Sequence, residues 1–338
     1  MKLGSGTRIC VTSVRLGSGT RICVTGAGRQ RGFALLAVML VLALLGVVAG
    51  EFAFAMRLEA TMVKSYREEI VGRHLVEAAV QQAIREILTD SQVVGLADEG
   101  LLTFFRLPAR PLPRLPRSEA PLGRGTFSYR ITDEEARINL NTAPPDRIDR
   151  LLATLGVDKQ ARDIINDSVQ DWKDPNDLHR INGAESDYYL KLPVAYRARN
   201  ANLEDVAELL QIRGVTPELY FGRSGEPGLA EFVTVHGAGQ QVNINTASPT
   251  VLKALGLSDA EVSLIVQTRE RTPYIQVPGQ FGGRGLTIST RTFRIEARGW
   301  VDGQLAGKVT AIVQKRVEAS GQPGGIILSW NPVAGGRP

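Results

Sequence analysis

At 338 residues, 43% of them apolar and 22% charged, the chain is too apolar to be a disordered tail and long enough for more than one domain. Its net charge of +5 suggests a nucleic-acid binder only until the charges are located: Lys2, Arg8, Arg15, Arg21, Arg29 and Arg31 fall within the first 32 residues, where there is no acid. Of the 40 basic and 35 acidic side chains, 34 and 35 remain beyond that tail, so the basicity fits the cytoplasmic flank of a membrane helix better than a nucleic-acid surface.

The tail also holds both cysteines, Cys10 and Cys23, inside a perfect duplication of LGSGTRICVT at residues 3–12 and 16–25. Nothing downstream can form a disulfide or a thiolate metal site. A tandem duplication in the coding region, or a start codon set too far upstream, explains the repeat without giving it a function.

Phe33 to Gly50 is free of charge, and at about 1.5 Å rise per residue these residues just cross a hydrocarbon core of roughly 30 Å. That is long for the apolar region of a cleavable secretory signal. The preceding Arg29-Gln30-Arg31-Gly32 meets Phe33 directly, which resembles a type IV prepilin signal. The resemblance implies cleavage between Gly32 and Phe33 on the cytoplasmic side, methylation of the new terminus and retention of the helix; an uncut signal anchor is the plainer alternative. Most pilin-like chains carry Glu at the fifth mature position, where this one has Ala37. The helix is expected to continue through residues 57–89, with Leu58, Met62, Ile70, Leu75, Ala79, Ala83, Ile84, Ile87 and Leu88 at roughly helical spacing and no proline.

Residues 107–123 are proline-rich and read as a connector. Beyond them, an alternating strand is expected at Thr126–Ile131, a polar turn at Asp133–Ala136 and a short strand at Arg137–Leu140. A diverged repeat follows. INLNTAPPDRIDRLLATLG and VNINTASPTVLKALG share Asn139/Asn243, Asn141/Asn245, Thr142/Thr246, Ala143/Ala247 and Gly156/Gly256. Each copy reads as a Thr cap, a first-turn proline (Pro145 or Pro249), a helix closed by glycine and a second helix packed against it. The pattern is similar to helix-hairpin-helix modules, which grip DNA phosphates at a Gly-apolar-Gly turn. Here the second glycine is absent and Asp158 or Asp259 stands nearby, so the modules read as protein-contact scaffolds without nucleic acid.

Between the copies lie Asp171, Asp174, Asp177, Glu185, Asp187, Glu204 and Asp205. Oxygen-only ligands in a loop suit calcium, although the spacing is not that of an EF-hand, and solvated turns and helix caps explain such acids equally well. The C-terminal RTFRIEARGW and KVTAIVQKRV read as a hairpin turning at Asp302-Gly303, followed by a loose tail after Glu318. His74, His179 and His236 accompany no nucleophile motif and no glycine-rich phosphate loop, so no enzyme is read.

Together the Gly32-Phe33 junction, Ala37, the NLNTA/NINTA modules, DWKDPND…NGAESDYYL and LEDVAELLQIRG resemble the K-type minor pseudopilins of bacterial type II secretion systems, the general secretion pathway protein K family. The resemblance covers roughly residues 29–317 and implies an α+β fold: a pilin-like long N-terminal helix packed on a small antiparallel sheet, with a large helical insertion containing two helix-hairpin-helix or SAM-like repeats. The expected divisions are a cleaved leader (1–32), a transmembrane segment (33–56), an amphipathic continuation (57–90), the first part of the head (91–140), the insertion (141–270), C-terminal strands (271–318) and a tail (319–338). It further implies a non-enzymatic subunit in the bacterial inner membrane, with a periplasmic head at the tip of the pseudopilus. The implied partners are I- and J-type minor pseudopilins, prepilin peptidase and the inner-membrane secretion platform. Calcium in the head is implied too, with Asp171, Asp174, Asp177, Glu185 and Asp187 as candidate ligands and Glu204 and Asp205 as alternative helix caps. The rival reading is a membrane-anchored helix-hairpin-helix DNA receptor of a competence system.

Overall fold

A computed structural model describes residues 31–97, 100–107, 109–223, 225–237, 239–317 and 321–333; the LGSGTRICVT duplication lies outside the described residues. Helix α1 spans Arg31–Ile87. The chain divides into two units between Val63 and Lys64. In the first, the apolar run forms uninterrupted helix with Phe33, Leu40 and Phe54 exposed, and an 18-residue window reaches a mean hydropathy of 2.8. By length and composition this helix can cross a membrane.

The second unit begins with the Lys64–Ile87 part of α1 and continues with β1 (Val93–Ala97), β2 (Leu101–Arg106), β3 (Arg110–Pro111), β4 (Ala120–Leu122), β5 (Gly125–Asp133) and β6 (Ile138–Asn139). Then come α2 (Pro145–Thr154), α3 (Lys159–Lys173), α4 (Ser186–Tyr189), α5 (Pro217–Phe221), β7 (Val233–Thr234), β8 (Val242–Asn243), α6 (Pro249–Ala254), α7 (Asp259–Arg271) and β9 (Leu286–Thr287). The long strands β10 (Thr292–Val301), β11 (Gln304–Val317) and β12 (Pro323–Val333) close the fold.

One antiparallel sheet has the order β12-β11-β10-β5-β4, and a smaller one the order β1-β2-β3. Because side chains alternate along a strand, Phe127, Tyr129 and Ile131 share a buried face with Ile295, Ala297, Val309, Ala311 and Val313. Against that face α1 lays Leu75, Val76, Ala79, Val80, Ala83 and Ile87, one turn apart. Each large apolar side chain buried there contributes about 1.5–3 kcal/mol. The expected helical stripe is met from Leu75 onward, whereas Leu58, Met62 and Ile70 are exposed.

The strands β5 and β10 are adjacent in the sheet, with Ile131 opposite Ile295, yet the whole insertion lies between them in sequence. It has its own core, from Ile138 to Leu286. The repeated Asn-x-Asn-Thr-Ala motif builds each half by one device. The first asparagine accepts from the backbone two residues on, Asn141 N–H to Asn139 Oδ1 at 3.0 Å and Asn245 N–H to Asn243 Oδ1 at 2.9 Å, which makes a side-chain turn. The second asparagine clamps a returning loop: Asn141 bonds the N–H and C=O of Leu203, and Asn245 those of Tyr274. Two short parallel pairs, β6–β7 and β8–β9, finish the halves. Gly156 and Gly256 close the first helices at φ +77° and +84°, where a side chain is strained.

Several expectations are corrected. Pro144 and Ser248, not the threonines, occupy the N-cap positions; Thr142 donates to Gly239 C=O and Thr246 to Asp133. The division at 271 falls too early, because Phe281 and Leu286 belong to the insertion core and the sheet resumes at Thr292. Residues 323–333 of the tail read as loose form β12, which pairs with β11 through Ile327 opposite Val313 and Trp330 opposite Ala311. The five described strand residues Ile326 to Trp330 offer three large aliphatic side chains and an indole, and Gly324 and Gly325 do not prevent pairing.

Candidate functional site

The acids between the repeats are positioned by α3 and the turn after it. Trp172 and Ile165 are buried in the insertion core, Trp172 meeting Tyr189 edge-on at 5.3 Å, and this orientation puts Asp171 on the buried side of the last turn of α3. Asp174 is the C-cap residue, in extended backbone. Glu185 stands at the N-cap of α4 but makes no capping bond. Its side chain lies among the other two: carboxylate oxygens of Asp171, Asp174 and Glu185 approach within 4.8 Å of one another.

The three carboxylates are not equally satisfied. Arg180 Nη1 bridges Asp171 Oδ1 at 2.5 Å and Asp174 Oδ2 at 2.7 Å, and the Arg180 N–H reaches Asp171 Oδ2 at 3.0 Å. Asn176 donates to Asp174 Oδ1. Glu185, only 1% exposed, has no hydrogen-bond partner on either carboxylate oxygen among the described residues. Burial, reinforced by the charges of Asp171, Asp174 and Asp177, pushes its pKa up to about 7. Such an orphaned carboxylate is costly unless protonated or paired. Gly183 is required beside it, since a Cβ there would overlap Asp171 Oδ2. The donor set therefore fits a hard, oxygen-seeking cation such as calcium.

The remaining candidates lie elsewhere. Asp177 accepts from Asn200 Nδ2 at 3.0 Å and acts on the trio only through its charge. Asp187 is exposed in the first turn of α4 and pairs with Lys191 one turn on. Asp205 caps the turn at Val206–Gln211 in a capping box with Glu208, so the capping alternative holds for it. Glu204 meets Arg199, and exposed His179 turns Nδ1 to the C=O of Arg180. Arg180 itself was not foreseen; its only sequence signal is that it is one of two cations, with Lys173, in the dense acidic stretch 171–187.

A second cluster, read from sequence as a mere polar turn, ties the insertion to the sheet. Asp133 is buried at the end of β5 and its Oδ2 accepts from Asn243, Thr246 and Thr290 at 2.6–2.9 Å. Burial outweighs those donors and raises its pKa to about 6. Glu134, fully buried, accepts from Arg294, Arg137 and Thr234. Burial alone would raise its pKa, but those arginines hold it below the ordinary carboxylate range. Glu135 accepts from Arg291 N–H and Thr292 Oγ1. A cavity of about 330 Å³ adjoins this cluster, lined in part by Leu102, Thr132, Asp133, Arg137, Phe232 and Thr246.

Comparison with known proteins bears on the same segment. The family model described as type II secretion system (T2SS), protein K matches residues 131–222, from the end of β5 through the acidic loop to α5. Type II secretion system protein K of Pseudomonas aeruginosa is 27% identical over 79% of this chain and 83% of that one. The protein of the same name from Klebsiella pneumoniae is 27% identical over 81% and 84%, and that from Pectobacterium carotovorum 30% identical over 57% and 60%. The fold is shared with a chain in the crystal structure of the GspK-GspI-GspJ complex of enterotoxigenic Escherichia coli, at a TM-score of 0.62 and 17% identity, covering 81% of this chain and 99% of that one. The chain thus shares that fold, and through most of its length it is similar to proteins named type II secretion system protein K.

Proposed function

We propose that this chain is a minor pseudopilin that caps the tip of a periplasmic pseudopilus, starts its assembly with I- and J-type minor pseudopilins, and thereby serves export of folded proteins across the outer membrane. The observation that carries the reading is the insertion of a separately cored helical body between the adjacent strands β5 and β10. A head of that bulk hinders a further subunit from stacking above it. Ala37 agrees, since a subunit without a carboxylate at that position is poorly suited to neutralise the terminal amine of a neighbour. The apolar part of α1 is the single inner-membrane anchor, the head is periplasmic, and a prepilin peptidase cuts between Gly32 and Phe33 before the secretion platform takes up the subunit. Asp171, Asp174 and Glu185 would hold calcium, whose charge would meet the Glu185 carboxylate that no described hydrogen-bond donor serves. The role is one of assembly, and no residue is assigned a catalytic step.

The DNA-receptor reading finds no support at the glycine turns. Gly156 and Val157 donate their amides to Ala153 and Leu152, Gly256 and Leu257 donate theirs to Lys253 and Leu252, and Asp158 and Ser258 occupy the following helix caps. Amides so engaged are not offered to phosphate. The test is to express the chain with a prepilin peptidase and the I- and J-type subunits, then determine the terminus by mass and the stoichiometry by light scattering. Methylated Phe33 and a stable complex containing one copy of each subunit are expected. An intact leader with no complex, together with salt-sensitive DNA binding, would overturn the reading in favour of the receptor.

A further inference from the structure

The turn between α3 and α4 directs a side-chain cation at the carboxylates that a metal ion would need. Arg180 places one nitrogen between Asp171 Oδ1 and Asp174 Oδ2, at 2.5 and 2.7 Å. Its backbone is tied into the same turn, the Arg180 C=O accepting from Gly183 N–H at 3.0 Å. One guanidinium does not satisfy the trio: among the described residues Glu185 keeps both oxygens buried and unpaired. The guanidinium is also the most movable member, since its side chain is 42% exposed while that of Asp171 is fully buried. A divalent ion bound by all three carboxylates would stand within a few ångströms of the arginine charge, and two cations do not share that space without strong repulsion.

We propose that Arg180 is a built-in competitor for the cation site, closing over Asp171 and Asp174 in the metal-free protein and giving way outward to a divalent ion. The inference rests on the calcium reading of the trio and deepens it: Arg180 sets the calcium concentration at which the loop changes partners. It also supplies selectivity by charge. A monovalent ion gains too little from the carboxylates to displace a guanidinium already hydrogen-bonded to two of them, whereas a divalent ion that recruits Glu185 as well gains a third ligand.

The experiment is calorimetric titration of calcium chloride into the full chain in detergent micelles, for the wild type, Arg180→Gln and Arg180→Lys, with thermal unfolding in chelator and in calcium. Arg180→Gln is expected to bind calcium on the order of tenfold more tightly, having lost a charged competitor. Its midpoint in chelator should fall below that of the wild type, and its rise on calcium addition should be the larger. Wild-type binding with equal or weaker affinity in Arg180→Gln would overturn the role of Arg180 while leaving the calcium reading intact. Failure of both proteins to bind would remove the calcium reading and this inference with it. Folding of Arg180→Gln only in calcium supports the proposal. Should that variant fold in neither condition, Arg180→Lys decides: its point charge does not bridge two carboxylates as well, so affinity above wild type is expected, and equal or lower affinity overturns the proposal.

Discussion

Arg294 grips Glu134 with two nitrogens, Nε at 2.9 Å from Oε2 and Nη2 at 2.8 Å from Oε1, and so fastens the central strand β10 to the first residue after β5. The same carboxylate accepts from Arg137 at 2.6 Å and from Thr234 Oγ1 at 2.7 Å, at the entry and exit of the first repeat. Glu134→Ala leaves two partly buried arginines without their counter-charge. A loss of about 3 kcal/mol is expected, toward the low end for a broken buried pair because both arginines retain some contact with water. Urea unfolding of the head checks it; a loss within about 0.5 kcal/mol, the range of ordinary surface changes, would show that the pair does not hold the insertion.

The two first asparagines of the repeats should differ in cost. Asn243 Nδ2 lies within hydrogen-bond reach of Val94 C=O, Asp133 Oδ2 and Thr290 Oγ1, all in buried surroundings. Among the described residues Asn139 Nδ2 reaches the carbonyls of His236 and Gly237, in a part-buried site. Asn243→Ala is expected to cost about 3 kcal/mol and Asn139→Ala about 1 kcal/mol, in line with orphaned buried donors and acceptors. Thermal unfolding of the two variants gives the comparison, and equal shifts would contradict the deeper setting of the second repeat.

Asp133 makes stability depend on pH in a defined direction. Its folded pKa, raised to about 6, exceeds the ordinary aspartate value of 3.8, so the folded state binds more protons between those limits. Stability from this group is therefore greatest below pH 3.8 and declines as pH rises to about 6. Glu135, also raised chiefly by burial, acts in the same sense, while the depressed Glu134 loses its contribution as pH falls. Asp133→Asn should remove the Asp133 part of the decline, so the stability difference between variant and wild type should change across that window. A constant difference from pH 4 to 6 would refute the assignment.

The proposed calcium ligands divide sharply. Asp171→Asn and Glu185→Gln should each weaken calcium binding on the order of a hundredfold, since ligand charge governs affinity in oxygen sites. Gly183→Ala should weaken it too, by pushing Asp171 out of place. Asp187→Asn, which alters only an exposed pair with Lys191, should leave it unchanged. Titration with calcium followed by calorimetry distinguishes these outcomes, and loss of binding on changing Asp187 would redraw the site.

Much of the fold was legible in local pattern. The charge-free run from Phe33, the alternation at Thr126–Ile131 and at Phe293–Ala297, and the paired Asn-x-Asn-Thr-Ala motifs each follow from a period or a turn chemistry acting over a few residues. The Asp302-Gly303 turn was equally plain, and both residues adopt positive φ. The short strands β1 and β2 were not anticipated, although Val93 and Val94 carry apolar strand formers. Strand β12 was missed because the glycines and prolines around it resemble a loose tail, while its stability comes from the partner edge of β11.

The candidate site was legible only as a composition. The seven candidate acids from Asp171 to Asp205 were visible, but not that Asp171, Asp174 and Glu185 converge while Asp177 and Asp187 do not. Convergence depends on the rotation of α3, which the burial of Trp172 and Ile165 sets, and on a turn that Gly183 alone permits.

By itself the sequence determined an apolar N-terminal helix, two related helical modules and a strand-rich end, because hydrophobic period, proline and glycine act locally. Only the tertiary structure decided which polar side chains are buried and with whom. Asp133 and Glu134 read as a polar turn, and Asp171 as one of several candidate calcium ligands, until the sheet and the insertion close over them. Burial removes the water that would otherwise satisfy a carboxylate, and its charge must then be met by arginine, hydroxyl, amide, proton or metal supplied from distant parts of the chain.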